Sequence, residues 1–425
     1  MQKKLFGNLI FILVMLSFLL VDNNIAYSES VQKAVVATVA PDWSSSAHSI
    51  ISVDAVDGHR SCQNNLFPTS TSDIGINAYG KYFYRIERYQ GDNVTKFDIN
   101  NPSTLIWQFS TNDKNEEGSS NPYSLIFVNE TKAYLLRYGK TKAWIVNPSA
   151  NIESEFKIGE LDLSAYADAD GIPEMTEGII IQERLYIITQ RLDRNNNWTP
   201  NTPYIAIFDT KTDKAINAGI PNSDGFTGIP LPIKNPASIT YLKENNKIYI
   251  QAIGSYESSW SGIPADYSGG IISIDPSNYN ISMVLDDGDT INHPYGNISG
   301  MAIISATKGY FIGYSGWEDN ALYTFNPSNG QVNGITNSYL VNKNLAGMES
   351  GTYVDKNNMI WVCNSSDAEI IILDTKDDSV NEKVSTELNP KKVIFMTVGD
   401  EGDDETTKSD DSNDSFCFIK SIFGE

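Results

Sequence analysis

Arginine residues followed by an aromatic side chain recur at matching places along this chain. Arg88 precedes Tyr89, and Arg137 precedes Tyr138. Arg191 stands at the corresponding point of a third segment. A guanidinium group forms paired hydrogen bonds to carboxylate or phosphate groups and also stacks on aromatic rings. Residues of these types, gathered at one place, predict a site for a planar or anionic ligand.

Further charged and aromatic residues extend this pattern. The candidate ligand-binding residues are Arg88, Arg137, Tyr138, Arg191, Asp193, Arg194, Trp260, Trp317 and Glu349. An alternative is that the arginines form ion pairs that tie neighbouring structural units together. Their partners would then be Asp73, Asp168, Asp170, Glu174 and Glu349. The spacing is compatible both with ligand binding and with ion pairs between neighbouring structural units, which we call the bracing alternative.

A short acidic stretch is a candidate metal site. Asp168 and Asp170 stand two residues apart, Gly171 follows them, and Glu174 lies close by. Carboxylate oxygens are ligands that Ca²⁺ prefers, so Asp168, Asp170 and Glu174 are its candidate ligands. The EF-hand pattern is incomplete, because Tyr166 occupies its first position. Calcium is the one cofactor that the sequence suggests.

The motifs of several common enzyme classes do not occur in the sequence. It has no G-x-S-x-G, H-E-x-x-H, C-x-x-C or phosphate-binding P-loop pattern. A lactonase-type hydrolase would need His293, or Glu318 together with Glu349, to converge on a metal ion or an arginine. The residues therefore favour binding over catalysis and leave a hydrolase as an alternative.

The negative charge of the chain argues against nucleic acids and anionic membranes as partners. The 425 residues include 53 Asp and Glu against 31 Lys and Arg, which gives a formal net charge of −22. Nucleic acids and anionic membranes attract clustered positive charge, so neither is an expected partner.

The 17 Phe, 22 Tyr and 7 Trp are typical of an ordered chain. Three His and three Cys leave little material for a metal cluster or a disulfide framework.

The two ends of the chain are predicted to lie outside the fold. Residues 1–28 contain two lysines, a short apolar run and small residues before a cleavage point, which is typical of a secretory signal peptide. An uncleaved membrane anchor is the alternative. Residues 400–425 are an acidic linker and a short tail around Cys417, either a sorting or anchoring element or an end that docks on the fold. We expect the mature chain to be periplasmic, on the cell surface or extracellular, with no transmembrane span.

One pattern of short strands recurs six times between these ends. Each copy has an apolar strand, a tight turn, a second strand with Tyr or Trp, and a third strand that ends in Asp or Asn. The copies at 121–148 and 235–276 show it most plainly. Strands of this composition, separated by Gly, Asn, Asp and Pro turns, form antiparallel meanders, and a repeated four-stranded unit is a propeller blade. A sandwich or a linear array of strands is the alternative.

The two ends of the repeat region predict a seventh blade. Residues 48–54 have the pattern of a third strand, and residues 389–396 have that of an innermost strand. Joining them closes a ring and removes the sheet edges. The predicted fold, over residues 29–399, is an all-β, seven-bladed β-propeller with one composite blade closed by N- and C-terminal strands.

The longest predicted connections fall on one face of this disc, which we call the long-loop face. They follow second strands at 192–203 and 255–268, and they join one blade to the next at 164–174, 221–234 and 287–297. Long loops on a rigid scaffold are where binding surfaces tend to occur. The candidate residues should therefore be sought on this face.

The repeat resembles that of the YncE-like, YVTN-type seven-bladed propellers of bacterial envelopes, over residues 40–397. One subgroup of these envelope proteins is similar in the stretches 162–175 and 190–195 and at Ser72-Asp73. The resemblance implies a seven-bladed fold and an envelope location. Propellers of this kind include ligand-capturing surface proteins, one set of which binds corrinoids, and distant relatives include lactonases.

These observations favour a secreted or cell-surface propeller that acts as a binding module through its long-loop face. The ligand would be a small molecule, a glycan or an envelope protein. The alternatives are a propeller hydrolase of the lactonase type and a purely structural surface protein.

Overall fold

Strands from the two ends of the described chain pair with each other and close a ring of seven antiparallel sheets. The structure, a computed structural model, describes residues 31–222, 225–257, 264–334, 338–346, 348 and 353–398. The predicted all-β, seven-bladed propeller and its composite blade are confirmed. Among the described residues, no helix is long and apolar enough to cross a membrane. The segments 1–28 and 400–425 lie outside the described residues.

The composite blade and blades 1 to 3 contain the following strands. The composite blade begins with β1 (Val31–Val39), β2 (Ser46–Ser52) and β3 (Cys62–Thr69). Blade 1 has β4 (Ile74–Tyr79), β5 (Tyr82–Glu87), β6 (Asn93–Asp98) and β7 (Asn101–Ser110). Blade 2 has β8 (Pro122–Asn129), β9 (Lys132–Arg137), β10 (Lys142–Val146) and β11 (Lys157–Asp162). Blade 3 has β12 (Met175–Ile181), β13 (Arg184–Thr189), a small hairpin of β14 (Leu192–Asp193) and β15 (Thr199–Pro200), then β16 (Tyr204–Asp209) and β17 (Ile229–Pro230).

The remaining strands complete the ring. Blade 4 has β18 (Pro236–Leu242), β19 (Lys247–Ala252), β20 (Gly270–Ile274) and β21 (Ile281–Leu285). Blade 5 has β22 (Asn297–Ile303), β23 (Gly309–Tyr314), β24 (Asn320–Phe325) and β25 (Val332–Gly334), and β26 (Val341–Lys343) also pairs with β24. Blade 6 has β27 (Leu345–Ala346), β28 (Met359–Asn364), β29 (Glu369–Asp374) and β30 (Val380–Ser385), and β31 (Asn389–Val398) returns to the composite blade. Short 3₁₀ helices span Glu153–Glu155, Ser164–Tyr166, Arg194–Asn196 and Ser338–Leu340.

The second and third strands of each blade are the most apolar, because both of their faces are covered by neighbouring blades. In blade 6, β28 and β29 lie between β27 and β30. The successive side chains Ile360, Trp361, Val362 and Cys363 of β28 are at most 1% exposed. A strand buried on both faces reads as a continuous apolar run rather than as an alternation. These runs form the core between the blades.

The composite blade is built as three strands from the N-terminal end and one from the C-terminal end. Nine residue pairs join β1 to β31, from Val31 with Val398 to Val39 with Asn389. β2 confirms the predicted third strand, and β31 confirms the predicted innermost strand. Sequence reasoning misses β1, the second strand, because its run is buried on both faces and shows no alternation.

The predicted blade-to-blade connection at 221–234 is wrong. The outermost strand of blade 3 first contacts β16 at Ala215, leaves the sheet, and returns as β17. Residues 217–228 are therefore an insertion in that outer strand, and only residues 231–235 lead to blade 4. The Gly, Pro and Asn residues of the insertion are typical of a connection, and they conceal the return to the sheet.

A buried ion pair crosses the axis of the ring. Glu177 belongs to β12, the innermost strand of blade 3, and Lys392 belongs to β31, the innermost strand of the composite blade. Two blades separate them on one side of the ring and three on the other. Glu177 Oε1 and Lys392 Nζ lie 3.5 Å apart, and the side chains are 5% and 11% exposed. The pair therefore links nearly opposite sides of the ring.

We expect Lys392→Met to lower the free energy of unfolding by about 3–5 kcal/mol, because it leaves the Glu177 carboxylate buried without its partner. The double variant Glu177→Met/Lys392→Met recovers most of this loss, since neither buried charge remains. Lys211→Met breaks an exposed ion pair with Glu183 and is the matched control, with a change of less than about 1 kcal/mol. Urea unfolding followed by circular dichroism measures all three variants. A Lys392→Met protein as stable as the wild type would contradict the role of the pair.

Candidate functional site

The long-loop face carries every connection from a second to a third strand and every connection from one blade to the next. This follows from the strand order, since the first and third turns of each blade fall on the opposite face. The predicted long loops at 192–203, 255–268, 164–174 and 287–297 lie on the long-loop face. Within them, residues 258–263 fall outside the described residues.

A row of stacked guanidinium groups and aromatic rings crosses blades 1 to 3 on this face. We call it the arginine–tyrosine row, and its members are Asp73, Arg88, Tyr123, Tyr138, Arg194 and Trp198. The Arg88 guanidinium carbon lies 3.5 Å from the centre of the Tyr123 ring. Tyr123 stacks on Tyr138 with ring centres 5.3 Å apart. The Arg194 guanidinium carbon lies 5.4 Å from the centre of the Tyr138 ring and 5.2 Å from that of Trp198. The row thus brings together three of the predicted residues.

Both arginines of the row also have acidic neighbours. Arg88 Nε lies 3.3 Å from an Asp73 carboxylate oxygen. Arg194 Nη2 lies 3.1 Å from Glu174 Oε1, and its Nε lies 3.6 Å from Asp170 Oδ2. The ion pairs of the bracing alternative are therefore present for these two arginines. Their side chains still keep 20% and 29% of their surface exposed, so bracing leaves them accessible from the long-loop face.

The protonation state of Glu174 determines whether Arg194 lies beside a charged or a neutral carboxyl group. The side chain is fully buried, and its Oε2 accepts a hydrogen bond of 3.0 Å from the backbone N–H of Leu192. Burial raises the pKa of Glu174 to about 8 against the opposing effect of Arg194, and Asp170 and Asp168 add to the rise. Near neutral pH this carboxyl is therefore mostly protonated, so Glu174 balances the charge of Arg194 less than an ionised carboxylate would.

The loops of blade 3 hold bulky residues in a left-handed backbone conformation. The φ angles of Glu174, Arg191 and Trp198 are 49°, 55° and 61°. Side chains with a Cβ atom adopt this region at a cost of about 1–3 kcal/mol each, and such residues cluster at functional sites. The three residues lie in the two connections of blade 3, before β12 and after β13, that also carry Asp170, Asp193 and Arg194.

Two other predicted arginines bind acceptors within the protein. Arg137 is 1% exposed and forms an ion pair with Glu116. Arg191 donates hydrogen bonds of 2.9 and 2.8 Å to the carbonyl oxygens of Tyr166 and Thr202. Both guanidinium groups thus hold loops in place, and direct contact of either with a ligand stays a prediction.

The structure brings Asp168 and Asp170 together with Asp193. One carboxylate oxygen from each residue lies within 4.8 Å of the others. Burial raises the pKa of Asp168, and the neighbouring Asp170 carboxylate adds to the rise. Glu174, which the sequence groups with the first two, contacts Arg194 instead. Three carboxylates in this arrangement can hold a Ca²⁺ ion, with Asp193 rather than Glu174 as the third ligand.

Three predicted residues remain, and of these Trp317 does not belong to the row. Trp260 and Glu349 lie outside the described residues. Trp317 lies in the loop between β23 and β24, is 59% exposed and has its ring centre 6.2 Å from that of Trp43. Sequence reasoning misses Tyr123, because it reads as part of an inner strand. It misses Trp43, because this residue precedes the first recognised strand.

A second titratable site lies in the loops of blades 4 and 5. His293, named above for a hydrolase, stacks on Tyr267 with ring centres 4.1 Å apart. Asp287 is fully buried, and among the described residues its Oδ1 has no hydrogen-bond partner. Burial raises the pKa of Asp287 to about 7. A carboxyl group that titrates near neutral pH suits general acid–base chemistry, and the sequence gives no signal that selects Asp287.

No protein-family model matches the chain, and no curated protein matches its sequence. Solved structures do match its fold. A protein from Lactobacillus plantarum gives a TM-score of 0.56 at 12% identity, covering 86% of this chain and 99% of its own. A candidate 6-phosphogluconolactonase from Bacteroides fragilis gives 0.54 at 10% identity over 87% and 99%, and one from Bacteroides uniformis gives 0.52 at 11% over 87% and 100%. At these identities the likeness shows the fold alone.

We expect Ca²⁺ to raise the unfolding temperature of the wild type by roughly 3 °C, because an ion that binds the folded state alone stabilises it. Asp193→Asn removes one charged ligand and abolishes the rise. Glu174→Gln is the matched control and keeps it, because Glu174 faces Arg194. Thermal unfolding with Ca²⁺, and with Mg²⁺ for comparison, measures the effect. No response in the wild type, or the same response in Asp193→Asn, would rule out this site.

Proposed function

We propose that this protein is an exported binding module that holds a small molecule with a flat, anionic part on the arginine–tyrosine row. The observation that carries the proposal is the stacked pair of rings, Tyr123 and Tyr138, with the guanidinium groups of Arg88 and Arg194 at its two ends. The exposed Trp198 ring beside Arg194 offers a stacking surface, and arginine offers paired hydrogen bonds to carboxylate or phosphate. A planar ligand that carries a negative group uses both.

The charge of Arg194 is what makes an anion a suitable occupant. Burial keeps Glu174 mostly uncharged near neutral pH, and the other carboxyl group beside Arg194 is Asp170, whose Oδ2 lies 3.6 Å from Arg194 Nε. The net charge of −22 repels anions at long range, but salt at physiological ionic strength screens such repulsion beyond about 8 Å. A ligand that reaches the row therefore meets the guanidinium groups of Arg88 and Arg194, which keep 20% and 29% of their side chains exposed.

The location of the protein belongs to the same proposal. The N-terminal sequence supports export by a signal peptide of residues 1–28, ahead of a propeller domain of residues 29–399 and an acidic tail of residues 400–425. The repeat pattern supports a relationship to the YncE-like, YVTN-type propellers of bacterial envelopes. The mature protein would then meet its ligand in the periplasm, on the cell surface or outside the cell.

Flavin mononucleotide and riboflavin test this proposal, because they share a flat ring system and differ in one phosphate group. We expect the mature chain to bind flavin mononucleotide about tenfold more tightly than riboflavin, since only the former places a phosphate against the arginines. We expect Arg194→Met to bind flavin mononucleotide and riboflavin with equal affinity. Tyr123→Leu weakens both ligands equally, because it removes the ring on which Arg88 and Tyr138 stack. Isothermal titration calorimetry measures the six affinities of the wild type and the two variants.

Arg184→Met is the matched control for these variants. Arg184 lies at the start of β13 on the opposite face, where it donates a hydrogen bond of 2.9 Å to the Tyr279 hydroxyl. The affinity for flavin mononucleotide should not change in this variant. Equal affinities of the wild type for the two flavins would contradict the anionic part of the proposal. Failure of both to bind would contradict its planar part, and lactone hydrolysis by the same protein would favour the hydrolase instead.

A further inference from the structure

Two exposed tryptophan rings meet on the long-loop face, away from the arginine–tyrosine row. Trp43 lies in the loop between β1 and β2 of the composite blade, and Trp317 lies in the loop between β23 and β24 of blade 5. Their ring centres are 6.2 Å apart and their planes meet at 52°, so the rings form an open V. The residues are 46% and 59% exposed. Blade 6 lies between these two blades, so the contact is not part of a core between neighbours.

The backbone of Trp43 adopts a conformation that is unfavourable for a bulky residue. Its φ of 58° lies in the left-handed region, which bulky side chains rarely adopt. The Trp43 N–H donates to the Ala40 carbonyl at 2.9 Å, and the Asp42 carboxylate accepts a 3.1 Å hydrogen bond from the Ser44 N–H. Burial of the ring in a core would offset such strain, but nearly half of this residue is exposed. Strain without matching burial points to a function for the ring.

The charged groups around the two rings indicate which class of ligand this pair of tryptophans can bind. Lys391 Nζ lies 4.6 Å from the centre of the Trp43 ring, so a cationic ligand would compete with this ammonium group for the ring face. Asp42, Glu318 and Asp319 are exposed sequence neighbours of the tryptophans, so an anion would meet three carboxylates. A neutral ring with hydroxyl groups avoids both conflicts. Its C–H face packs on the negative face of an indole, and its hydroxyl groups donate to carboxylates and accept from ammonium.

We propose that Trp43 and Trp317 form a second binding site, which stacks a neutral pyranose ring of a saccharide. The site uses loops of blade 5 and the composite blade, whereas the arginine–tyrosine row uses blades 1 to 3 and the connection into blade 1. It therefore stands independently of the function proposed above.

Titration of the mature chain with neutral oligosaccharides of glucose, mannose, galactose or N-acetylglucosamine tests this proposal. We expect at least one of them to bind and to change the tryptophan fluorescence. Trp317→Ala and Trp43→Ala each lower its affinity about tenfold, because one of the two stacking surfaces is lost. Trp317→Phe retains part of the affinity, since a smaller ring still stacks.

Trp198→Ala is the matched control, because Trp198 is similarly exposed but belongs to the arginine–tyrosine row. It leaves the saccharide affinity unchanged, and Trp317→Ala leaves the flavin mononucleotide affinity unchanged, so failure of one site is distinguishable from failure of the other. Thermal unfolding checks each variant, and Trp43→Gly, which adopts the left-handed backbone readily, replaces Trp43→Ala if the latter does not fold. Binding of none of the saccharides, unchanged affinity in both alanine variants, or preferential binding of tetramethylammonium would overturn the proposal.

Discussion

The pairing of β1 with β31 is the contact on which the rest of the structure depends. It joins nine residue pairs from opposite ends of the described chain and removes the two strand edges that an open array of blades would leave. Closing so long a loop costs conformational entropy, which burial of the apolar run in β1 offsets. The Glu177–Lys392 ion pair adds a link across the axis. The innermost strands of all seven blades thereby keep fixed positions around one ring.

Ring closure matters to the candidate site, because the arginine–tyrosine row does not rest on one blade. Asp73 precedes blade 1, Tyr123 and Tyr138 belong to blade 2, and Arg194 belongs to blade 3. Separations of 3.5 Å between Arg88 and Tyr123, and of 5.3 Å between the two tyrosine rings, require these blades to keep their relative rotation. A ligand that lies along the row would meet groups that are already in place, which reduces the entropy lost on binding.

The sequence predicts the repeating strands well, because turn residues and apolar runs are local signals. It predicts that Arg88, Tyr138 and Arg194 share a face, since each follows the second strand of a blade. It does not predict that Arg137 turns inward, because its partner Glu116 lies 21 residues earlier in an irregular loop. It also misses Tyr123, whose contact with Arg88 forms only when two blades pack together. What escapes prediction is therefore the set of contacts between blades, which depends on tertiary packing.

Whether Arg194 meets an anion as a charged partner depends on the protonation state of Glu174. The affinity for flavin mononucleotide between pH 7 and 9, where the phosphate group stays largely a dianion, tests this dependence most directly. As the pH rises through about 8, Glu174 loses its proton and balances the charge of Arg194. We predict that the affinity then falls about tenfold, or about 1.4 kcal/mol, in the wild type and stays constant in Glu174→Gln. A constant affinity in the wild type, or the same fall in Glu174→Gln, would contradict this account of the site.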